Sequence, residues 1–375
     1  MPLVRPRNFR EGGGAFAAAC LLSLAACSRD APSLPAAAAS DAKTATAAAG
    51  SDSYRIFVTN EMSGDLSVID AATRSVVATL PLGKRPRGMQ VSADRKTLFV
   101  ALSGSPIGGP GVDESKLPPP DKGADGIGVI DLETLRITRI LRGFSDPERI
   151  ALSPDGTRLY VASEDTGNAV IADAADGRVL ATLPVGGEPE GIAASRDGRF
   201  VYVTSEATNQ VAVIDAQTHQ IIKRFDTGQR PRAVAFSSDG AWAWVTAEND
   251  ASLSVVSAKS HARVCSIAIP GGNARPMGVA VSPDGSRVFV TTGRGGTVVA
   301  VNAATGAIVG SVDVGPRPWG LAFSPDGNFV YTANGSSDDI TIVDTRALRV
   351  VGKIAVGQHP WDVMTIESAA ATPGS

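Results

Sequence analysis

The chain reads as an all-β protein, a seven-bladed β-propeller of four-stranded antiparallel blades. Three observations predict it: one unit recurs seven times, each copy holds four strand-like runs, and the series starts and stops out of phase. Aligned on a proline that follows a titratable residue, the copies fall at Pro86, Pro147, Pro189, Pro231, Pro276, Pro318 and Pro360, spaced by 61, 42, 42, 45, 42 and 42 residues. A single small twisted sheet cannot cover both of its faces, so units of this length stack in a ring. The first unit begins at Tyr54 with "RIFVTN", a second strand, and the last stops after "HPWDVMTIE", a first strand. The C-terminal strand is therefore expected to complete the N-terminal blade and leave no free edge.

The unit justifies four strands. In the copy at Pro189, "PEGIAASRDG", "RFVYVTSEATN", "QVAVIDAQTH" and "QIIKRFDTG" are alternating runs broken by turn residues. Asp155-Gly156, Asp197-Gly198, Asp284-Gly285 and Asp326-Gly327 supply the positive φ that hairpins need. Asp70, Asp131, Asp215 and Asp344 end third strands, where a carboxylate accepts N–H groups of the next turn. These aspartates are read as structural.

Ahead of the repeats lies a processing segment. Arg5, Arg7 and Arg10 precede the apolar stretch Ala15 to Ala26, too short to span a bilayer. It ends in Leu24-Ala25-Ala26-Cys27, which resembles a bacterial lipobox with Cys27 as the lipidated residue; the alternative is a plain secretory signal. Residues 1–26 are thus expected to be a signal peptide, and residues 27–53 a lipidated Cys27 followed by a disordered Ala/Ser/Pro-rich tether. Its 26 residues from Ser28 to Ser53 would span roughly 28 Å if flexible. Ser28 after the cysteine resembles the outer-membrane signal of lipoproteins, so the expected location is exported, periplasmic and anchored to the outer membrane. With Cys27 acylated and Cys20 removed, Cys265 is the only remaining thiol and no intramolecular disulfide forms. The propeller is placed at 54–367 and a disordered tail at 368–375.

A formal net charge of −3 over 375 residues gives no basis for nucleic-acid binding. The runs "FVTNEMSGDLSVIDAATRSVVATLPLGKRPRGM" (Phe57 to Met89), "LYVASEDTGNAVIADAADGRVLATLPVGGEPEGIA" and "VYVTSEATNQVAVIDAQTHQIIKRFDTGQRPRAVAF" resemble YVTN-type propeller repeats. The order of blades, with its "PEG" and "RPR" variants and terminal "QHPWDV", is similar to the propeller proteins associated with PQQ-dependent alcohol catabolism. That resemblance implies an accessory to a quinoprotein dehydrogenase or transport system; PQQ itself is not assigned to this chain, nor is any other cofactor or metal.

The site is expected where the motif prolines converge on the mouth of the central channel. Before the prolines stand Arg85, Asp146, Glu188, Arg230, Arg275, Arg317 and His359; after them stand Arg87, Glu148, Glu190, Arg232, Met277, Trp319 and Trp361. The second and third copies bring acids, the first and fourth to sixth bring arginines, and the last two bring tryptophans. Such a cup suits a small anionic or zwitterionic ligand. Arg149 is assigned to the same rim, and the second-to-third-strand loops point to it with Asn60-Glu61, Glu164-Asp165, Glu206, Glu248-Asn249-Asp250 and Asn334. The structural alternative is that Arg87 with Glu148, and Glu190 with Arg232, are ion pairs closing the ring, and that both indoles pack between blades. The long spacing places a Gly/Pro-rich insertion at about 103–124 in blade 2, either a lid or docking element over the cup or a tolerated surface loop.

No haem-attachment, zinc-protease, nucleophile-elbow, P-loop or dinucleotide motif is present. Of the three histidines, only His359 falls at the mouth; His219 and His261 follow third strands. The expectation is a non-catalytic, monomeric binding or scaffolding lipoprotein that meets a small molecule or a protein at its top face and the membrane through its anchor only. The alternative is an enzyme resembling the seven-bladed lactonases, with no residue assigned as catalytic beyond candidates: Glu148 or Glu190 as base and Arg232 polarising a carbonyl.

Overall fold

The structure, a computed structural model, describes residues 54–108 and 113–367. Twenty-eight strands form seven four-stranded antiparallel sheets. Blade 1 takes its innermost strand, Pro360–Glu367, from the C-terminal end and the other three from Tyr54–Asn60, Asp65–Asp70 and Ser75–Pro81. Blades 2 to 7 are continuous in sequence, with first strands at Pro86–Val91, Pro147–Leu152, Pro189–Ala194, Pro231–Phe236, Val279–Val281 and Pro318–Phe323. The closure expected from the phase offset is realised: Tyr54 pairs with Glu367 and Val58 with Val363 in an antiparallel register.

Burial follows the strand order. Second and third strands are almost wholly buried, whereas fourth strands alternate exposed residues, as at Gln220–Asp226. Each apolar cluster joins two neighbouring blades: Phe57, Leu66 and Val68 of blade 1 meet Met89, Leu98 and Val100 of blade 2. Ile56 and Val58 on the opposite face of the same sheet meet Tyr331, Ile340 and Ile342 of blade 7. Seven such clusters serve seven blade interfaces, so every blade depends on both neighbours.

The corner aspartates do what their spacing implied. Asp70 accepts from the Thr73 N–H at 2.7 Å, Asp131 from Thr134 at 2.7 Å and Asp215 from Thr218 at 2.8 Å.

Near the axis the first strands approach so closely that side chains must be chosen for it. A Cβ on Gly191 would lie 2.3 Å from the Arg232 carbonyl oxygen, and one on Gly278 would lie 2.5 Å from that of Trp319. Threonines of second strands clamp the same carbonyls: Thr59 donates to Arg87 at 2.9 Å, Thr204 to Arg232 at 3.0 Å, Thr246 to Met277 at 2.8 Å and Thr291 to Trp319 at 2.6 Å. Each clamp fixes the residue after the next blade's motif proline.

The signal segment, Cys27, the tether and the tail lie outside the described residues. Because blade 1 is closed only by residues 360–367, deleting 360–375 is expected to abolish cooperative unfolding. A broad, shallow melt followed by circular dichroism, in place of the sharp transition of the full chain, is the expected reading.

Candidate active site at the channel mouth

The residues before the motif prolines hold an unusual backbone. Arg85, Asp146, Glu188, Arg230, Arg317 and His359 all have φ between 40° and 58°. For residues other than glycine this left-handed conformation costs on the order of 1 kcal/mol each. It is held by a repeated bond: the carbonyls of His359, Asp146, Glu188 and Arg230 accept the N–H of Glu61, Glu164, Glu206 and Glu248 at 2.9 to 3.0 Å. A ring of glutamates is thereby set beside the ring of motif residues.

These groups enclose a cavity of about 370 Å³. Arg87, 2% exposed, is surrounded by carboxylates, at 3.3 Å from Glu61, 3.4 Å from Asp146 and 3.3 Å from Glu164, with a close contact to Glu148. Arg232 contacts Glu206 closely and lies 3.4 Å from Glu190 and 3.7 Å from Glu248. Arg230 bonds Glu206 at 2.6 Å, and Arg85 reaches Glu61 at 2.7 Å. His359 Nδ1 sits 2.9 Å from the other oxygen of Glu61. The pairs Arg87–Glu148 and Arg232–Glu190 do join adjacent blades, as the structural alternative held, and they line the cavity as well.

The two tryptophans stack on each other, centroids 6.1 Å apart and planes 23° apart, where blades 7 and 1 meet. Arg232 and Arg317 each lie 5.1 Å from the Trp319 ring, and Arg149 lies 4.6 Å from Trp361. Trp361 is buried and Trp319 partly so, both lining the cup. The Trp319 Nε1–H is buried with no acceptor.

Proton affinities separate the carboxylates. Burial raises that of Glu61, but the His359 hydrogen bond and the Arg85 and Arg87 charges outweigh it and hold the group well below the usual range. Asp146 is likewise held down by Arg87 and Ser103 against its burial. In Glu190 burial wins over the attraction of Arg232, and its pKa rises.

Three assigned residues do not line the cup. Arg149 is two residues past its proline, and strand alternation turns it from the Glu148 side into the channel below, where it meets Asp362 at 3.5 Å. Glu188 is exposed outside the cavity, and only its carbonyl serves the mouth. Glu206 is buried behind the wall as the counter-charge of Arg230 and Arg232. Asp146, read at the mouth from its place before Pro147, lines the cup, as do Glu61 and Glu248 of the second-to-third-strand loops, at the repeat position of Glu164; Arg294 lines it and was not assigned to it. From the insertion, Ser105 to Gly108 and Leu117 line the cavity, and the Ser105 and Pro106 carbonyls accept from Arg85 at 2.9 Å. Among the described residues no group of three or more His, Cys, Asp or Glu is placed to hold a metal ion.

A family model of the seven-bladed lactonase propeller matches residues 223–363, in keeping with the seven-bladed ring. The family model of the choice-of-anchor I domain matches residues 21–232, more than half of the chain, and the chain belongs to that family. Antigen Lp49 of Leptospira interrogans is 29% identical over 137 residues, a match covering 28% of this chain and 30% of that protein. Among solved structures, the periplasmic gluconolactonase of Pseudomonas aeruginosa is 21% identical with a TM-score of 0.67, covering 84% of this chain and 99% of that one. A putative 6-phosphogluconolactonase of Bacteroides fragilis is 16% identical at a TM-score of 0.67, covering 86% and 100%. Hydrazine synthase of Kuenenia stuttgartiensis is 19% identical at 0.63, covering 76% and 96%. At these identities the structures share the fold. The lactonase match overturns the expectation of a non-catalytic scaffolding module accessory to PQQ-dependent catabolism, and the lactonase-like alternative takes its place.

Removing Arg87 strands several buried carboxylates at once. Arg87→Ala is expected to cost about 3–5 kcal/mol, the penalty for breaking a buried ion pair, read as a shifted denaturation midpoint in urea.

Proposed function

We propose that this protein is a lactone hydrolase whose reaction takes place in the cup at the channel mouth. The observation that carries the reading is Glu190. Glu61 and Asp146 are held down by arginines with a hydroxyl or His359, whereas Glu190, whose one ion pair is to Arg232 at 3.4 Å, has a proton affinity raised by burial. A base poised nearer to neutrality is suited to take a proton from water. The lactonase family match and the gluconolactonase fold likeness support the same chemistry.

In this mechanism the lactone ring lies on the exposed part of Trp319, with its carbonyl oxygen toward Arg232. Glu190 accepts a proton as the water oxygen bonds to the carbonyl carbon, and Arg232 stabilises the negative charge that gathers on the carbonyl oxygen. The tetrahedral adduct collapses by breaking the ring C–O bond, and the departing alkoxide takes the proton back from Glu190. The products are the hydroxy acid and the original enzyme, with no redox step. Arg87 and Glu61 take no part in the proton transfer; they hold the opposite wall.

Glu190→Gln is expected to lower kcat by about 10²–10⁴-fold on glucono-1,5-lactone followed in a pH-stat, while the melting temperature stays near that of the parent. Hydrolysis at the parent rate would overturn the assignment. Because Glu190 must be ionised, and its pKa is raised, kcat/KM should increase with pH through an acid limb lying above the ordinary glutamate value of about 4.3. An acid limb at or below that value would exclude Glu190 as the base.

We further propose export with lipidation at Cys27, supported by the Leu24-Ala25-Ala26-Cys27 run. Cys27→Ala is expected to abolish incorporation of labelled palmitate in the bacterial host, and unchanged labelling would refute it.

A further inference from the structure

The ring of glutamates around the cup is incomplete: blade 2 has Ser103 there, bonded to Asp146, and blades 6 and 7 have no polar side chain at all. Immediately after the second strand the repeat places Glu61, Glu164, Glu206 and Glu248 in blades 1, 3, 4 and 5. In blades 6 and 7 the equivalent positions are Gly293 and Gly335. Space excludes a side chain at both: a Cβ on Gly293 would lie 2.9 Å from the Arg275 carbonyl oxygen, and one on Gly335 would lie 3.0 Å from the Trp319 ring.

The arginines did not leave with the acids. Arg275 and Arg317 keep the motif positions of these two blades, and Arg294 adds a third beside Gly293. All three line the cup, and among the described residues none lies within 4.0 Å of a carboxylate. Arg85, Arg87, Arg230 and Arg232 on the other walls are all paired. Burial and the neighbouring charges of Arg232 and Arg294 lower the proton affinity of Arg317, and the more distant Glu61 and Glu248 offset this only in part. The buried Trp319 Nε1–H in the same wall also lacks an acceptor.

We infer that Arg275, Arg294 and Arg317 form a subsite for an oxyanion carried by the substrate, a carboxylate or phosphate on the part of the molecule remote from the reacting carbonyl. The substrate would supply the negative charge that the protein itself supplies in blades 1, 3, 4 and 5. This rests on the lactone-hydrolase reading for the identity of the substrate, but the subsite makes its own claim about binding.

The test is calorimetric titration of the full mature protein with three open-chain acids: gluconate, glucarate with a second carboxylate, and 6-phosphogluconate. Glucarate or 6-phosphogluconate should bind at least about tenfold more tightly than gluconate, as expected for added charge-assisted hydrogen bonds, and which of the two wins identifies the oxyanion. Arg294→Glu, at an exposed position with no ion pair, should erase the preference without affecting folding, and Arg275→Gln with Arg317→Gln should do the same. Equal affinity for the three acids, binding of none of them, or a preference that survives Arg294→Glu would overturn the subsite. A preference that is present and Arg294-dependent in a protein that hydrolyses no lactone would leave the subsite standing and remove the hydrolase reading instead.

Discussion

Everything at the mouth depends on how closely seven first strands are brought together around one axis. The carbonyl of each residue after a motif proline is pressed toward the neighbouring blade, so glycine is required at positions such as Gly191 and Gly278. Threonines from second strands hold several of these carbonyls in place. Side chains on the following residue therefore have little freedom in where they begin, and Arg87, Arg232 and Trp319 are aimed at the cup by the same contacts that close the ring. Architecture and site share their atoms here, which is why the proline-flanking motif serves both.

Charge is then distributed unevenly over this rigid frame. Through blades 1 to 5 the arginines are matched by acids held through the left-handed motif backbone, giving a wall that is buried and internally neutralised. Through blades 6 and 7 glycines replace those acids and the arginines face the cavity without counter-charges. The stacked indoles lie at one border of the two regions, where blades 7 and 1 meet, and Glu190 lies within the paired wall, in blade 4. A cup built this way combines a fixed side, which resists deformation, with a side whose electrostatic needs are met from outside the protein.

The blade count, the closing strand and the insertion point were readable in the sequence because each rests on a period or a phase, and periods survive substitution. The position of the cup was readable for the same reason, since prolines at constant spacing must converge. Which side chains enter it was less so. Arg149 sits one step from Glu148, and a single step along a strand reverses the face; Glu206 carries the same residue type as Glu164 and Glu248 yet ends behind the wall. Arg294 lies in a short 3-10 turn, Gly293–Gly295, and the other such turn among the described residues, Glu114–Lys116, falls in the blade 2 insertion, so no repeat position announces it. Function was read least well: the resemblance to catabolism-associated propellers put a scaffolding role first, and although Glu148 and Glu190 were both named as candidate bases, what separates them is burial and pairing, which a linear reading does not contain.

The closing strand has a consequence for how the molecule comes into being. His359 and Trp361 belong to Pro360–Glu367 and its preceding turn, while Glu61, the partner of His359, directly follows the first described strand. Nearly 300 residues separate the two halves of that contact. A nascent chain can assemble six blades and most of the seventh interface, yet it has neither a sealed ring nor a finished cup until this strand docks. Folding of the ring and completion of the cup are thus one event, and a chain still lacking its last strand has neither.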